Sequence, residues 1–151
     1  MKPELLWESF CRHNAELMPE TLYHTCWAFG GGGKTADKLA ALVMAGIKTA
    51  TTSAYPCYAV WEEKVPEAGD YSVIMDSEGE AVCVLRTVKT DVLPFKEVGE
   101  EFAAKEGEGD QSLAYWRRAH TEVLGADCRD CGIEFGEDTL VVCEEFEIVF
   151  Q

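Results

Sequence analysis

The sequence contains no apolar run that approaches the 18 or more residues of a membrane-spanning helix. Its first 14 residues also lack the basic start and apolar centre of a secretory signal peptide. Apolar residues make up 47% and charged residues 27%, which is typical of a globular protein and not of a disordered or fibrous one. We therefore expect a soluble, cytoplasmic protein with no membrane partner.

Basic residues are also scarce, since 13 Lys and Arg stand against 28 Asp and Glu, for a net charge of −15. Residues 1–56 hold five of each sign, so the whole imbalance lies in residues 57–151. Binding to a polyanion depends on Lys and Arg, and an acidic surface opposes it at long range. We expect no DNA partner, and we expect any RNA contact to be confined to the N-terminal third.

The chain has 151 residues, the length of one domain that buries roughly 68 to 70% of its unfolded surface. Apolar spacing and turn residues predict helices and strands in irregular alternation, without repeats or a βαβ series, so we expect an α+β fold on a mixed sheet or small barrel. The predicted helices cover about 3–11, 35–46, a segment opening at Pro94, and 111–124; the predicted strands cover 48–53, 71–75, 81–88 and 140–150.

The seven cysteines are odd in number and scattered, unlike the framework of a small secreted domain. One pair, Cys128 and Cys131, has the spacing of half a zinc site or of a redox pair. No second such pair completes a four-ligand site in the sequence. We therefore favour free thiols in an acidic loop, and we predict no metal and no cofactor.

A glycine-rich stretch, Ala28-Phe-Gly-Gly-Gly-Gly-Lys34-Thr35, resembles a phosphate-binding loop with alanine in place of its first glycine. Asp76 could then serve as the downstream metal-holding aspartate. However, such a loop follows a buried parallel strand, and residues 22–27 are a poor candidate for one. A flexible loop before a helix capped by Thr35 is the favoured interpretation, and nucleotide binding is the alternative.

A second, less conspicuous pattern is one lysine and four hydroxyl side chains within residues 48–53, just after Gly46. A hydroxyl becomes a nucleophile when a base accepts its proton, and a desolvated lysine can be that base. If the chain turns at Gly46, Lys48 and Thr51 converge. In a regular strand they point to opposite faces, and the alternative is a polar edge strand with an exposed lysine.

Arg86 lies in a strand-like run and shares its predicted face with three valines, so we expect a buried guanidinium that is paired or lines a cavity. The acidic residues of a glycine-interrupted loop, Glu106, Glu108 and Asp110, are its candidate partners, and the alternative is that this loop is solvated. His120 lies on the apolar stripe of the following helix, where a lone histidine is more often a satisfied core residue than a catalyst.

Several stretches, in this order along the chain, resemble the ASCH family of small proteins with a PUA-like fold: 27–30, 36–51, 69–76, 83–87, 93–95, 102–113 and 115–120. The resemblance implies a single ASCH domain over residues 1–151, with a core at about 27–150 and an N-terminal helical extension. It implies a mixed β-barrel or curved sheet with flanking helices. The Gly-x-Lys-x-x-Thr segment and the Glu-Gly-Glu-Gly-Asp loop would both project into one cleft.

The resemblance also implies a chemistry. ASCH proteins are associated with RNA metabolism; some look like amidohydrolases that remove the acetyl group from the exocyclic amine of cytidine, and others behave as ribonucleases. In the amidohydrolase pattern Lys48 is the base, Thr51 the nucleophile and Glu106 the proton carrier, with Glu108 as the alternative carboxylate. The residues expected to bind substrate are Arg86, as orienter, together with Ser53, Glu108, Trp116 and Arg117.

The distribution of charged residues favours the amidohydrolase over the RNA-binding activity. An RNA reader needs a basic face, and only Lys34, Lys38, Lys48 and Arg86 could supply one. A neutral nucleoside is not repelled by an acidic protein. We therefore favour an amidohydrolase acting on an acylated nucleoside or similar small amide, with an RNA-binding module or ribonuclease in the same cleft as the alternative.

The favoured chemistry sets one condition. Burial lowers the pKa of a lysine towards a useful range, but an adjacent ionised glutamate raises it again. We therefore expect Glu106 to be protonated or to lie more than one contact away from Lys48.

Overall fold

The computed structural model describes residues 1–17 and 24–151. Its helices and strands are α1 (Pro3–His13), β1 (His24–Trp27), α2 (Gly33–Met44), β2 (Ala50–Ala54), α3 (Cys57–Trp61), β3 (Tyr71–Met75), β4 (Ala81–Pro94), α4 (Glu100–Glu106), α5 (Leu113–Asp130) and β5 (Leu140–Phe150). Short 3-10 turns cover Ala15–Leu17, Phe29–Gly31 and Phe95–Glu97. Within the described ranges, none of the helices combines the length and apolar character needed to cross a bilayer.

The five strands form one mixed sheet in the order β1-β3-β4-β5-β2. β1 is parallel to β3, whereas β3 is antiparallel to β4 and β2 is antiparallel to β5. The hairpin predicted from the turn residues at 76–80 is present between β3 and β4. The predicted α+β class with a mixed sheet and flanking helices is therefore confirmed.

The chain divides into two compact units, each made of separate segments. The first unit comprises Met1–Gly46, Glu67–Val88 and Phe146–Gln151. In one of its apolar clusters Phe10 of α1 packs with Tyr71 and Val73 of β3. In the other, Val43 of α2 packs with Ile74 of the same strand. Both clusters thus use β3, whose residues Tyr71 to Ile74 are all buried.

The second unit comprises Ile47–Pro66 and Lys89–Glu145 and has one apolar core. α5 contributes its side chains at a spacing of four residues, which places Trp116, His120, Leu124 and Cys128 on one buried face. Ser112 caps this helix by accepting a hydrogen bond from the backbone N–H of Tyr115 at 3.1 Å. The second unit holds Lys48, Thr51 and the acidic loop.

The helix start predicted at Pro94 is wrong. Pro94 ends β4, a 3-10 turn follows, and α4 begins only at Glu100. The backbone N–H groups of Phe95 and Lys96 donate to the carbonyls of Thr139 and Glu137, so these residues pair with a distant segment instead of starting a helix. The prediction failed because that pairing is invisible in local spacing.

The glycine-rich stretch follows β1, which pairs in parallel with β3. A phosphate-binding loop also follows a parallel strand. The prediction concerned residues 22–27, of which 22 and 23 lie outside the described residues. The side chains of β1 are exposed or half-buried, so a buried strand does not precede the loop. α2 starts at Gly33, and Thr35 does not cap it. These features do not favour a nucleotide site.

The Cys128 motif lies at the end of α5 and not in an acidic loop. Cys128 is buried, and its Sγ lies 3.9 Å from the Sγ of Cys57. Burial raises the pKa of both thiols above the ordinary value, so both stay protonated. All seven cysteines lie in the described ranges, and none of them forms a disulfide. Cys57 and Cys128 therefore act as small apolar side chains of the second core.

Gly107 allows the end of α4 to pack closely against the segment before β2. Its φ is +71°, and a Cβ placed there would lie 2.4 Å from the carbonyl oxygen of Ile47. Only glycine combines this conformation with such a close backbone contact.

We predict that Gly107→Ala destabilises the protein more than Gly46→Ala. Both glycines have a positive φ, but a Cβ at Gly46 meets nothing within 4 Å. The Gly46 variant should lose about 1 kcal/mol of unfolding free energy, and the Gly107 variant should lose more because a backbone contact must also open. Urea unfolding measures both values. Equal losses would show that the contact with Ile47 is not restrictive.

Candidate active site

Lys48 and Glu106 form a buried ion pair. Lys48 Nζ lies 2.6 Å from Glu106 Oε1, and both side chains are only 1% exposed. The backbone N–H of Thr49 donates to the carbonyl of Lys105 at 2.8 Å, which joins the start of β2 to the end of α4. Glu108, in the loop after α4, places its Oε2 3.0 Å from the same Nζ. The lysine segment and the acidic loop therefore meet.

The second oxygen of Glu106 accepts three further hydrogen bonds. Oε2 lies 2.6 Å from Thr52 Oγ1, 2.8 Å from Trp116 Nε1 and 2.9 Å from His120 Nε2. Burial alone raises the pKa of this carboxyl, but the charge of Lys48 and the contacts with His120 and Lys48 outweigh it. They hold the pKa of Glu106 well below its usual range. Glu106 is therefore an ionised carboxylate despite its burial.

His120 is bound at both ring nitrogens. Nδ1 lies 2.9 Å from the carbonyl oxygen of Trp116, and Nε2 lies 2.9 Å from Glu106. A carbonyl and an ionised carboxylate can only accept hydrogen bonds, so both ring nitrogens must carry a proton. Burial lowers the pKa of His120, but the hydrogen bond and charge of Glu106 raise it overall above the ordinary value of 6.5. His120 is thus a buried imidazolium and more than a core residue.

The contact between Lys48 and Glu106 contradicts the condition set from the sequence. We expected Glu106 to be protonated or more than one contact away, whereas it is ionised and touches Nζ directly. The expectation failed because it did not include His120, which is a second source of positive charge for the same carboxylate. Any role of Lys48 as a base must begin with loss of its proton.

Thr51 and Thr52 point to opposite faces of β2, because side chains alternate along a strand. Thr52 contacts Glu106, a contact that the sequence patterns did not indicate. Thr51 lies opposite the buried Glu144 of β5 in the register. No side chain in the described ranges hydrogen-bonds to the Thr51 hydroxyl. On the Thr51 face, Ser53 Oγ lies 2.7 Å from the hydroxyl of Tyr58.

Arg86 is not buried as predicted. Its side chain is 45% exposed and pairs with Glu147 and not with the acidic loop. The prediction assumed that the face carrying the three valines is buried along its whole length, but that face is fully buried only at Val84. From Leu85 to Val88 buried and exposed side chains alternate, and Arg86 and Val88 both lie on the exposed face. Since Lys48 is buried and Arg86 is paired, two of the four residues of the expected basic face are already engaged with carboxylates.

Two other residues expected to bind substrate make internal contacts. The ring of Trp116 stacks on Phe95 at 5.2 Å and on His120 at 4.4 Å, and Trp116 is 2% exposed. Arg117 donates to three backbone carbonyls of the turn that follows β4, those of Phe95, Lys96 and Val98. Neither a free ring face nor a free guanidinium is therefore offered to a ligand.

The donor atoms of Glu106, Glu108 and His120 lie within 4.8 Å of one another, as the ligands of a cation would. The ammonium of Lys48 already lies within 3.0 Å of both carboxylates. The cluster therefore needs no added cation to balance its charge.

A cleft of about 470 Å³ borders the cluster. Its walls include Lys105, which precedes Glu106, and Cys143, which lies opposite Thr52 in the register. Neither Lys48 nor Thr51 lines it. The cleft thus borders the ion pair without exposing it.

Comparison with known proteins identifies one family. The profile described as "ASCH domain" matches residues 25–150. An ASCH domain structure from Lactobacillus crispatus JV V101 is 31% identical, with a TM-score of 0.91 over 99% of this chain and 94% of that chain. Protein EF3133 from Enterococcus faecalis V583 is 32% identical, with a TM-score of 0.85 over 97% and 87% of the two chains. No curated protein matches the sequence.

We predict that His120 contributes to stability in a pH-dependent way. Its pKa is raised in the folded protein, so its contribution is fully present below 6.5 and is lost as the pH rises through the raised value. His120→Gln keeps a donor but removes the charge. The variant should be less stable by about 1 to 3 kcal/mol below pH 6.5, and the difference should shrink at alkaline pH.

Urea unfolding of both proteins between pH 5.5 and 9 provides the measurement. His13→Gln, which replaces an exposed histidine, is the matched control. A stability difference for His120→Gln that stays constant over this range would refute the imidazolium assignment.

Proposed function

The chain belongs to the ASCH domain family, and on this premise we propose that it is an amidohydrolase that removes the acyl group from an acylated nucleoside, such as N4-acetylcytidine, or from a similar small amide. The observation that carries the proposal is the buried contact of Lys48 with Glu106. A buried ion pair contributes little net stability compared with apolar residues of the same volume. Its presence in this segment therefore favours a chemical role.

In the proposed reaction, the Thr51 hydroxyl attacks the amide carbonyl carbon while the neutral amine of Lys48 accepts its proton. Lys48 Nζ contacts Glu106 and Glu108 and not Thr51 in the described residues, so the contact between Lys48 and Thr51 must form when substrate binds. The carbon–nitrogen bond then breaks, and the leaving amine takes that proton from Lys48. Water hydrolyses the resulting threonine ester, which releases the carboxylic acid and restores the hydroxyl. Thr51 suits this role because its hydroxyl has no hydrogen bond to the described side chains, whereas Thr52 is engaged with Glu106.

Charge supports a small neutral substrate. The protein carries −15 overall, and its buried Lys48 has no exposed surface to offer to a phosphate backbone. A neutral nucleoside approaches such a protein without electrostatic opposition. These observations favour hydrolysis of a small amide over RNA recognition.

We predict that the protein hydrolyses N4-acetylcytidine and that Lys48→Met and Thr51→Val each reduce turnover about 100-fold or more, because each removes one reacting group. Lys38→Met replaces an exposed lysine and should retain full activity. Release of cytidine, followed by chromatography, measures turnover. Equal rates in Thr51→Val and the unmodified protein would remove Thr51 from the reaction.

We also predict that single-stranded RNA does not bind measurably at low salt, because the net charge is −15, Lys48 is buried against Glu106, and Arg86 is paired with Glu147. A fluorescence anisotropy titration with labelled RNA at about 20 mM salt tests this. Binding that weakens steeply with added salt and persists in Thr51→Val would favour the RNA-binding alternative.

A further inference from the structure

Three cysteine thiols of the second unit belong to one apolar core. Cys57 begins α3, Cys128 lies near the end of α5, and Cys131 follows that helix as its C-cap. The Sγ atoms of Cys57 and Cys128 lie 3.9 Å apart, and both residues are 0% exposed. Cys131 is half-buried and packs against the same core. The fold thus adds a third thiol to the pair of cysteines that stand three residues apart in the sequence.

The end of α5 directs Cys131 towards the same thiol as Cys128. The backbone N–H of Cys131 donates to the carbonyl of Asp127 at 3.1 Å, so the helical turn continues to this residue. Residues three apart on a helix share a face, and Cys128 already contacts Cys57 from that face. After burial, a hydrogen bond with the Cys131 thiol is the next cause that raises the pKa of Cys57. Cys57 therefore lies within reach of both other thiols.

Burial protects Cys57 and Cys128 from dissolved oxidants, whereas Cys131 reaches the surface. Burial also raises the pKa of Cys57 and of Cys128, so neither thiol gains stability by ionisation. A disulfide is easily reduced when its reduced form is stabilised as a thiolate. Since that stabilisation is missing here, a disulfide between Cys57 and Cys128 would persist once it had formed.

We propose that these three cysteines form an oxidation site, in which Cys131 reacts first with a peroxide and Cys57 and Cys128 end as a disulfide. The sulfur of Cys131 attacks one oxygen of hydrogen peroxide, the O–O bond breaks, and a sulfenic acid and one water result. The sulfur of Cys57 then attacks the sulfenic sulfur, which expels a second water and joins Cys57 to Cys131. Finally Cys128 attacks the sulfur of Cys57 and passes its proton to the released thiol of Cys131.

In sum, one peroxide oxidises two thiols to a disulfide and is itself reduced to two waters. The disulfide joins α3 to α5 across 71 positions of the chain. A disulfide stabilises mainly by restricting the unfolded chain, and the effect grows with the length of the closed loop. Oxidation should therefore make the protein harder to unfold. The inference does not rest on the proposed function, because no step uses the substrate or the residues of the ion pair.

The test treats the folded protein with hydrogen peroxide, blocks the remaining thiols with N-ethylmaleimide and locates the disulfide by mass spectrometry of its peptides. We expect Cys57 joined to Cys128 as the main product. Cys26→Ser is the matched control, because Cys26 is exposed and lies in the first unit, so the same disulfide should form at the same rate. A disulfide from Cys57 to Cys143 of the same core, or no disulfide in protein whose Cys26 has been oxidised, would overturn the proposal.

Two variants test the order of the steps. Cys131→Ser should slow formation of the disulfide at least about tenfold, because it removes the thiol that meets the oxidant. Cys128→Ala should leave the intermediate disulfide between Cys57 and Cys131. Formation in Cys131→Ser as fast as in the unmodified protein, or no disulfide in Cys128→Ala, would overturn the entry of oxidant through Cys131.

Urea unfolding of the unmodified protein tests the consequence. The oxidised form should unfold at a midpoint at least about 0.5 M higher than the reduced form, and dithiothreitol should reverse the shift. Equal midpoints for the two forms would refute the stabilising crosslink between α3 and α5.

Discussion

The arrangement of the second unit depends on one buried charge, the carboxylate of Glu106. A carboxylate in an apolar interior is stable only if cations and hydrogen-bond donors replace its water. Here Lys48, in the segment before β2, contacts one oxygen of Glu106. Thr52 of β2 and Trp116 and His120 of α5 donate hydrogen bonds to the other oxygen. Removal of any of these contacts leaves a buried charge undersatisfied, so the site and the core that surrounds it are coupled.

The elements that could be predicted are those whose signals are local. The hairpin of β3 and β4 follows from the turn residues between them, and α5 follows from the spacing of Trp116 and Leu124. The helix at Pro94 was misplaced because its amides pair with residues more than 40 positions later. Arg86 was misplaced because three valines indicated that its face of β4 is buried throughout, whereas that face is buried at Val84 and exposed at Val88.

The candidate site was recovered in part. Lys48 and Glu106 do meet, but family resemblance alone implied this pairing, because residue spacing carries no signal between positions that are 58 apart. Local pattern gave no sign that Thr52 would contact the carboxylate, and it favoured an uncharged role for His120. The sequence does place His120 one helical turn after Trp116, on the buried face of α5. Long-range contacts of this kind depend on the fold and cannot be read from one sequence.

Glu106 is thus an ionised carboxylate that two cations stabilise, and the chemistry of the site depends on that charge. The most direct measurement is the carbon-13 chemical shift of the Glu106 carboxyl as the pH is lowered from 8, with the protein selectively labelled at glutamate and the signal assigned by its loss in Glu106→Gln. We expect an ionised shift that persists well below the ordinary pKa of 4.5 for as long as the protein stays folded. A carboxyl that is protonated at neutral pH, or that titrates near 4.5 in the folded protein, would contradict this assignment.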